Sequence, residues 1–216
     1  DDVLASPMQS SPLHLLDCCL VTDGAGAFVM TSAERAKTLK KPPVYVLGAG
    51  TCHDHSMISE MPDLTTTPGA VSGANAFAMA GIGPSDVDVL MGYDSFTITA
   101  LLHLEDLGFC PKGEGGAFAE AGELRVDGGS LPYNPHGGML SHAYVLGIAH
   151  VVEVVRQLRG EAANQVAGAE IVGRDQARNG GFDEDDLRRR EEREGPHLGR
   201  RRRRASRRVF LSCRVG

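Results

Sequence analysis

Two short segments concentrate the residue types that do chemistry. Tyr93-Asp94-Ser95-Phe96 sets a phenol beside a carboxylate, and Asn134-Pro135-His136-Gly137-Gly138 runs on through His142 to Tyr144. A phenol with its ordinary pKa near 10 is a poor general base at neutral pH. It is a competent hydrogen-bond donor to a developing alkoxide or enolate, and it can move a proton once its pKa is lowered. Asp94 either orients a substrate or caps a helix beginning near Phe96. Gly137 and Gly138 let backbone approach backbone or ligand closely. A third segment, Cys52-His53-Asp54-His55, carries metal-ligand residue types. A structural zinc site takes four ligands, usually from two separated pairs. No second pair is evident, so no metal is expected.

These residues must be positioned by alternating strands and helices. Gly26–Met30 reads as a buried strand. Thr31 with Glu34 three residues on is a capping-box pattern that opens a short helix, Ala33–Leu39. Pro42–Ala49 and Val87–Met91 read as strands. Residues 69–80 and Phe96–Leu107 read as helices, the second ended by Gly108. Residues 51–68 form a long polar loop, and residues 110–133 are Gly-rich and loop-like. Leu140–Leu158 is the strongest helix signal, with Val145, Ile148, Val151, Val152, Val155 and Leu158 at helical spacing. Tyr93 thus follows a strand and Tyr144 lies at the mouth of a helix, where packing is the ordinary role of a tyrosine. Strand–helix alternation argues a βαβ architecture with a mainly parallel sheet.

Composition narrows the class. High glycine (27 residues) with 5% aromatics suits an α/β protein with tight strand–helix connections. No apolar run reaches the roughly 20 residues of a membrane span. Five cysteines, two adjacent and none in a CxxC, fit a reducing cytoplasm better than a disulfide framework. Residues 1–172 hold 8 Lys+Arg against 20 Asp+Glu, and residues 173–216 hold 14 against 8. The basic run at 200–204 lacks interleaved aromatics, and no nucleic-acid partner is expected from it. We expect a leading segment over 1–16, one domain over 17–171, and a tail over 172–216. That tail is either an unstructured basic end or Arg/Gly-rich text of the kind GC-rich DNA gives when read out of frame. The chain opens on Asp1 and reads as a fragment.

Four segments, in order, resemble the landmarks of the thiolase superfamily. Asp23–Met30 with Ser32–Ala36 (DGAGAFVM, SAERA) is similar to the DGAAA opening of the C-terminal thiolase domain. Gly81–Phe96 is similar to the stretch ending in NEAF. Asn134–Gly147 (NPHGGMLSHAYVLG) resembles NPSGGxxSxGHPxG, and Val151–Val166 resembles the helix that follows it. The resemblance covers about residues 1–171 and implies the C-terminal βαβαβ half of the thiolase fold, a mainly parallel mixed sheet packed with helices. Within the superfamily it is nearest to lipid-transfer and sterol-carrier-type proteins and to steroid side-chain aldolases.

The departures from the family pattern redirect the expected chemistry. The resemblance puts Tyr93 over the asparagine that holds a water for the thioester oxygen. It puts Tyr144 over the GHP histidine, with His136 and His142 flanking. The CxG cysteine expected after Ile171 has no counterpart, and the nucleophilic cysteine belongs to the N-terminal half. Claisen thiolysis needs a thiolate to form an acyl-enzyme. Retro-aldol cleavage of a β-hydroxyacyl-CoA needs hydroxyl deprotonation and enolate stabilisation. The resemblance therefore implies catalysis by Tyr144 and Tyr93, supported by Asp94, His136, Gly137, Gly138 and His142. It implies a CoA thioester substrate, no covalently bound cofactor, a homodimer at full length, and an OB-fold/zinc-ribbon partner chain. A thiolase-type acetyl-CoA acyltransferase and a non-catalytic lipid-transfer protein are the alternatives. The fragment alone is expected to be inactive.

Overall fold

The computed structural model describes residues 1–55 and 58–175, with the backbone of Val209–Val215. Strand β4 (Val89–Met91) is buried at every residue, as in a parallel strand covered on both faces. Alternation along it splits the core into two clusters. Leu90 packs with Ala76, Phe77, Leu104 and Leu107, which come from helices α3 (Gly69–Ala80) and α4 (Thr97–Asp106) and the end of α4. Val89 and Met91 pack on the other face with Val154 and Leu158 of helix α6 (Ile148–Arg159). The result is helices on both faces of a sheet, the α/β class expected.

Among the described residues the main sheet has the order β3-β6-β5-β4, where β3 is Tyr45–Cys52, β5 is Ile171–Arg174 and β6 is Val209–Val215. All three pairings are parallel. Helix α3 lies close on β3 because both surfaces are small. A Cβ on Gly50 would sit 1.9 Å from the Ser72 carbonyl oxygen, and one on Gly48 would sit 2.2 Å from that of Ala76. Residues 1–16 hold the four-residue helix α1 (Asp2–Ala5) and a small antiparallel hairpin of β1 (Met8–Ser10) with β2 (Leu13–His14), and α2 is Ala33–Ala36.

Several expectations are corrected. Gly26–Met30 is not a strand: no described strand lies alongside to bond it, and Val29 and Met30 are 91% and 73% exposed. Ser32, not Thr31, caps the following helix (Ala33–Ala36), accepting from the Arg35 N–H. The stretch 110–133 contains helix α5 (Gly115–Glu120), whose first N–H is held by the Glu105 carboxylate. The helix expected over Leu140–Leu158 starts only at Ile148. A π-turn occupies Gly138–His142, and left-handed Leu146 (φ 50°) and Gly147 (φ 72°) break the chain before α6. Strand β5 runs over Ile171–Arg174, and β6 over Val209–Val215. Residues 176–208 lie outside the described residues.

The α3–β3 contact yields a first prediction. Gly50→Ala drives a methyl group into helix backbone, which cannot yield as a flexible side chain can. We expect a loss of about 1–3 kcal/mol of unfolding free energy, read from urea denaturation; an unchanged midpoint would contradict this packing.

Candidate functional site

The site sits at the C-terminal end of β4, where parallel α/β sheets ordinarily bind ligands. Gly92–Phe96 leaves the strand there and enters α4. Pro132–Asn134 runs beside β4, with the Leu90 N–H donating to the Pro132 carbonyl and the Asn134 N–H to that of Leu90. The chain then turns through left-handed Gly137 (φ 100°) and Gly138 (φ 60°) into the π-turn. A third strip crosses both loops: the Cys19 N–H donates to the Ser95 carbonyl and the Leu20 N–H to that of Met139.

This frame brings the two sequence-selected tyrosines together. The Tyr93 and Tyr144 hydroxyls are 2.9 Å apart, with the rings edge-on at 6.4 Å between centroids. Burial, reinforced by the hydrogen bond to Tyr144, pushes the Tyr93 phenol far above its ordinary value. Tyr93 therefore keeps its proton at any physiological pH and serves as a donor or relay.

Asp94 does not cap α4, whose N-cap is Phe96. Only 3% exposed, it turns away and accepts from the Met139 N–H at 2.8 Å. Burial raises its pKa, opposed by hydrogen bonds from Met139 and Asn134. Gly138 is required here, since a Cβ would fall 2.0 Å from Asp94 Oδ2 and 2.7 Å from Asn134 Nδ2. His136 and His142 lie together, ring centroids 5.5 Å apart, on a cleft of ≈ 370 Å³ also lined by Val145, Glu153 and Asn164. Asp54 and His55 of the Cys-His-Asp-His segment pair with each other, and residues 56–57 are not described.

Sequence reasoning missed several buried groups. His150 stacks edge-on against His136 at 5.1 Å, and neither ring has a hydrogen-bond partner among the described residues. Burial holds His150 at about 3 and His136 at about 4. His150 is thus neutral, and its 3.8 Å approach to Asp94 is not an ion pair at neutral pH. His103, on the inner face of α4, has its ring 6.4 Å from that of Tyr93 and lies against the Asp175 carboxylate. Burial pulls the His103 pKa down, but the Asp175 charge and hydrogen bond outweigh it and the net shift is upward. The position of His103 in the helix pattern could have flagged it. Asp175 could not be found, because it lies past the expected end of the domain.

Comparisons agree with this architecture. The family model described as "Thiolase C-terminal domain-like" matches residues 50–182, more than half of the chain. The chain belongs to that family. It is 46% identical over 168 residues to 17-hydroxy-3-oxo-4-pregnene-20-carboxyl-CoA lyase of Mycobacterium tuberculosis, covering 76% of this chain and 43% of the relative. It is 42% identical over 159 residues to the steroid side-chain-cleaving aldolase of Thermomonospora curvata, covering 71% and 40%. Among solved structures it is similar to an Ltp2-ChsH2(DUF35) aldolase, with a TM-score of 0.75 and 39% identity over 79% of this chain and 46% of that one. The chain spans less than half the length of these proteins. Among the described residues no helix is long and apolar enough to cross a membrane.

The neutral histidines give a pH prediction. Their folded pKa values lie below the unfolded value near 6.5, so the unfolded chain binds protons that the folded chain refuses. The stability they contribute is present above about pH 6.5 and is lost as pH falls toward about 4. His103, raised when folded, contributes fully throughout that window. We expect unfolding free energy to fall by up to about 1.4 kcal/mol per pH unit per histidine. Urea titrations should show a shallower slope in His150→Phe; an equal slope would place the proton uptake elsewhere.

Proposed function

We propose that this chain forms the C-terminal half of a thiolase-fold carbon–carbon lyase acting on acyl-CoA thioesters, and that its reaction is retro-aldol cleavage of a β-hydroxyacyl-CoA with a steroid or other lipid side chain. The observation that carries this is the phenol pair, Tyr93 Oη to Tyr144 Oη at 2.9 Å. The substrate β-hydroxyl gives its proton to Tyr144 as the carbon–carbon bond breaks. Tyr144 passes its own proton to Tyr93. Tyr93 delivers a proton to the α-carbon of the thioester enolate. The products are a ketone or aldehyde and a shortened acyl-CoA, and neither phenol has to persist as a phenolate. The raised Tyr93 pKa disfavours a free phenolate, so Tyr93 takes up the Tyr144 proton and delivers a proton to carbon in one coupled step. The chemistry named for the relatives, a CoA lyase and an aldolase, supports the same reading.

The name of the solved aldolase joins Ltp2 with ChsH2(DUF35). We propose a corresponding OB-fold/zinc-ribbon partner for the complete enzyme, a homodimeric core, a cytoplasmic location and no covalently bound cofactor. His136, His142 and Asp94 support the tyrosines. One observation favours a second reading, an acyltransferase: the chain is also 42% identical over 176 residues to an acetyl-CoA acetyltransferase of Methanothermobacter thermautotrophicus.

Incubation of the complete enzyme with a β-hydroxyacyl-CoA should release a ketone or aldehyde. Tyr144→Phe and Tyr93→Phe should each lower kcat by about 10²–10³-fold. Full activity in both variants would sink the relay, and CoA-dependent thiolysis in place of carbonyl release would favour the acyltransferase.

A further inference from the structure

Asn134 stands in a conformation that most residues avoid (φ 44°), and asparagine is among the few side chains that tolerate it. Its carboxamide closes on the Gly92 peptide group and also hydrogen-bonds the Asp94 carboxylate. Asn134 Oδ1 accepts from the Gly92 N–H at 3.0 Å, and Asn134 Nδ2 donates to the Gly92 carbonyl at 2.9 Å. Both bonds are buried.

The location gives this ring its meaning. Along β4, one flank is satisfied by Pro132–Asn134 up to Leu90, and the other ends where the Asp175 N–H donates to the Met91 carbonyl. Gly92 lies beyond both ladders, so its two polar groups are buried with no strand to pair them. The Asn134 side chain supplies a donor and an acceptor in peptide-like geometry and extends the ladder by one residue. That residue is the one before Tyr93. No side chain fits at Gly92 itself, where a Cβ would lie 2.3 Å from the Tyr133 hydroxyl. From Asn134 the same chain continues through the π-turn to Tyr144.

We propose that Asn134 is a positioning residue whose two-bond clamp on Gly92 sets the Tyr93 hydroxyl within hydrogen-bond reach of Tyr144. This rests on the phenol-relay reading above. The two loops that carry the tyrosines are also tied by the Met139 N–H bond to the Asp94 carboxylate, but the clamp holds both polar groups of the Gly92 backbone, so it fixes where Tyr93 leaves the sheet. A misplacement of about 1 Å between reacting groups costs about 10²-fold in rate. Both clamp bonds lie within the protein and use no group left over for substrate.

Two variants separate the amide from the backbone. Asn134→Gly relieves the left-handed strain and removes the carboxamide. Asn134→Asp keeps the shape but sets a carboxylate oxygen against the Gly92 carbonyl. In the complete enzyme we expect both to lower kcat by about 10²-fold while KM for the acyl-CoA changes less than about threefold, within the spread of conservative substitutions. A second readout needs no turnover. A fluorinated tyrosine at position 144 reports its hydrogen bond by fluorine NMR, with Tyr93→Phe as the broken reference. The resonance in Asn134→Gly should move to the reference position. Wild-type kcat in Asn134→Gly, or a fluorine resonance that stays at the wild-type position, overturns the proposal. Absence of carbonyl release from the wild type would instead overturn the reaction, while the fluorine shift would still decide the clamp.

Discussion

The interaction on which the site depends is the burial of β4 on both faces. Leu90 on one side and Val89 and Met91 on the other hold the strand between helix layers. A strand clamped in this way cannot shift along its axis without moving its apolar side chains out of both clusters. The chain therefore leaves the sheet at Gly92 in a fixed place. Tyr93 and Asp94 inherit that position, and the loop that carries Tyr144 is tied back to it through the Asn134 carboxamide and the Asp94 carboxylate.

A second constraint comes from polar groups buried around this strand end. Burial alone would make every one of them neutral. Where a neighbour opposes burial the outcome differs: Asp175 keeps His103 inclined to hold a proton, while burial outweighs every neighbour at His150 and His136, and they lose theirs. Tyr93 lies beside the His103 ring, with ring centroids 6.4 Å apart. The surroundings of Tyr93 are thus set by a tertiary neighbour on α4, itself held by Asp175 at the end of β5, not by residues adjacent in sequence.

The exposed apolar segment Phe28–Met30 fits a chain that spans less than half the length of its relatives. Residues with strand character but no described neighbour stay open, since a strand needs a ladder partner to satisfy its backbone. Fold and activity separate here: the described residues assemble the phenol pair, while reaction on a CoA thioester belongs to the complete enzyme we propose.

Sequence by itself determined the α/β class, the helices over 69–80 and Phe96–Leu107, a strand ending at Met91 and the two tyrosine-bearing motifs. Those features are written in local periodicity and in short runs whose residue types are demanding, such as Gly137-Gly138. It mistook Gly26–Met30, because β-propensity says nothing of whether a partner strand is present. It ran α6 back through Leu140, because apolar spacing does not register a left-handed break at Leu146 and Gly147. Tertiary structure alone decided the 2.9 Å meeting of Tyr93 and Tyr144, the capture of Gly92 by Asn134, and the His103–Asp175 pair. Each of these joins residues tens of positions apart, and only the packing of helices on both faces of β4 makes them neighbours.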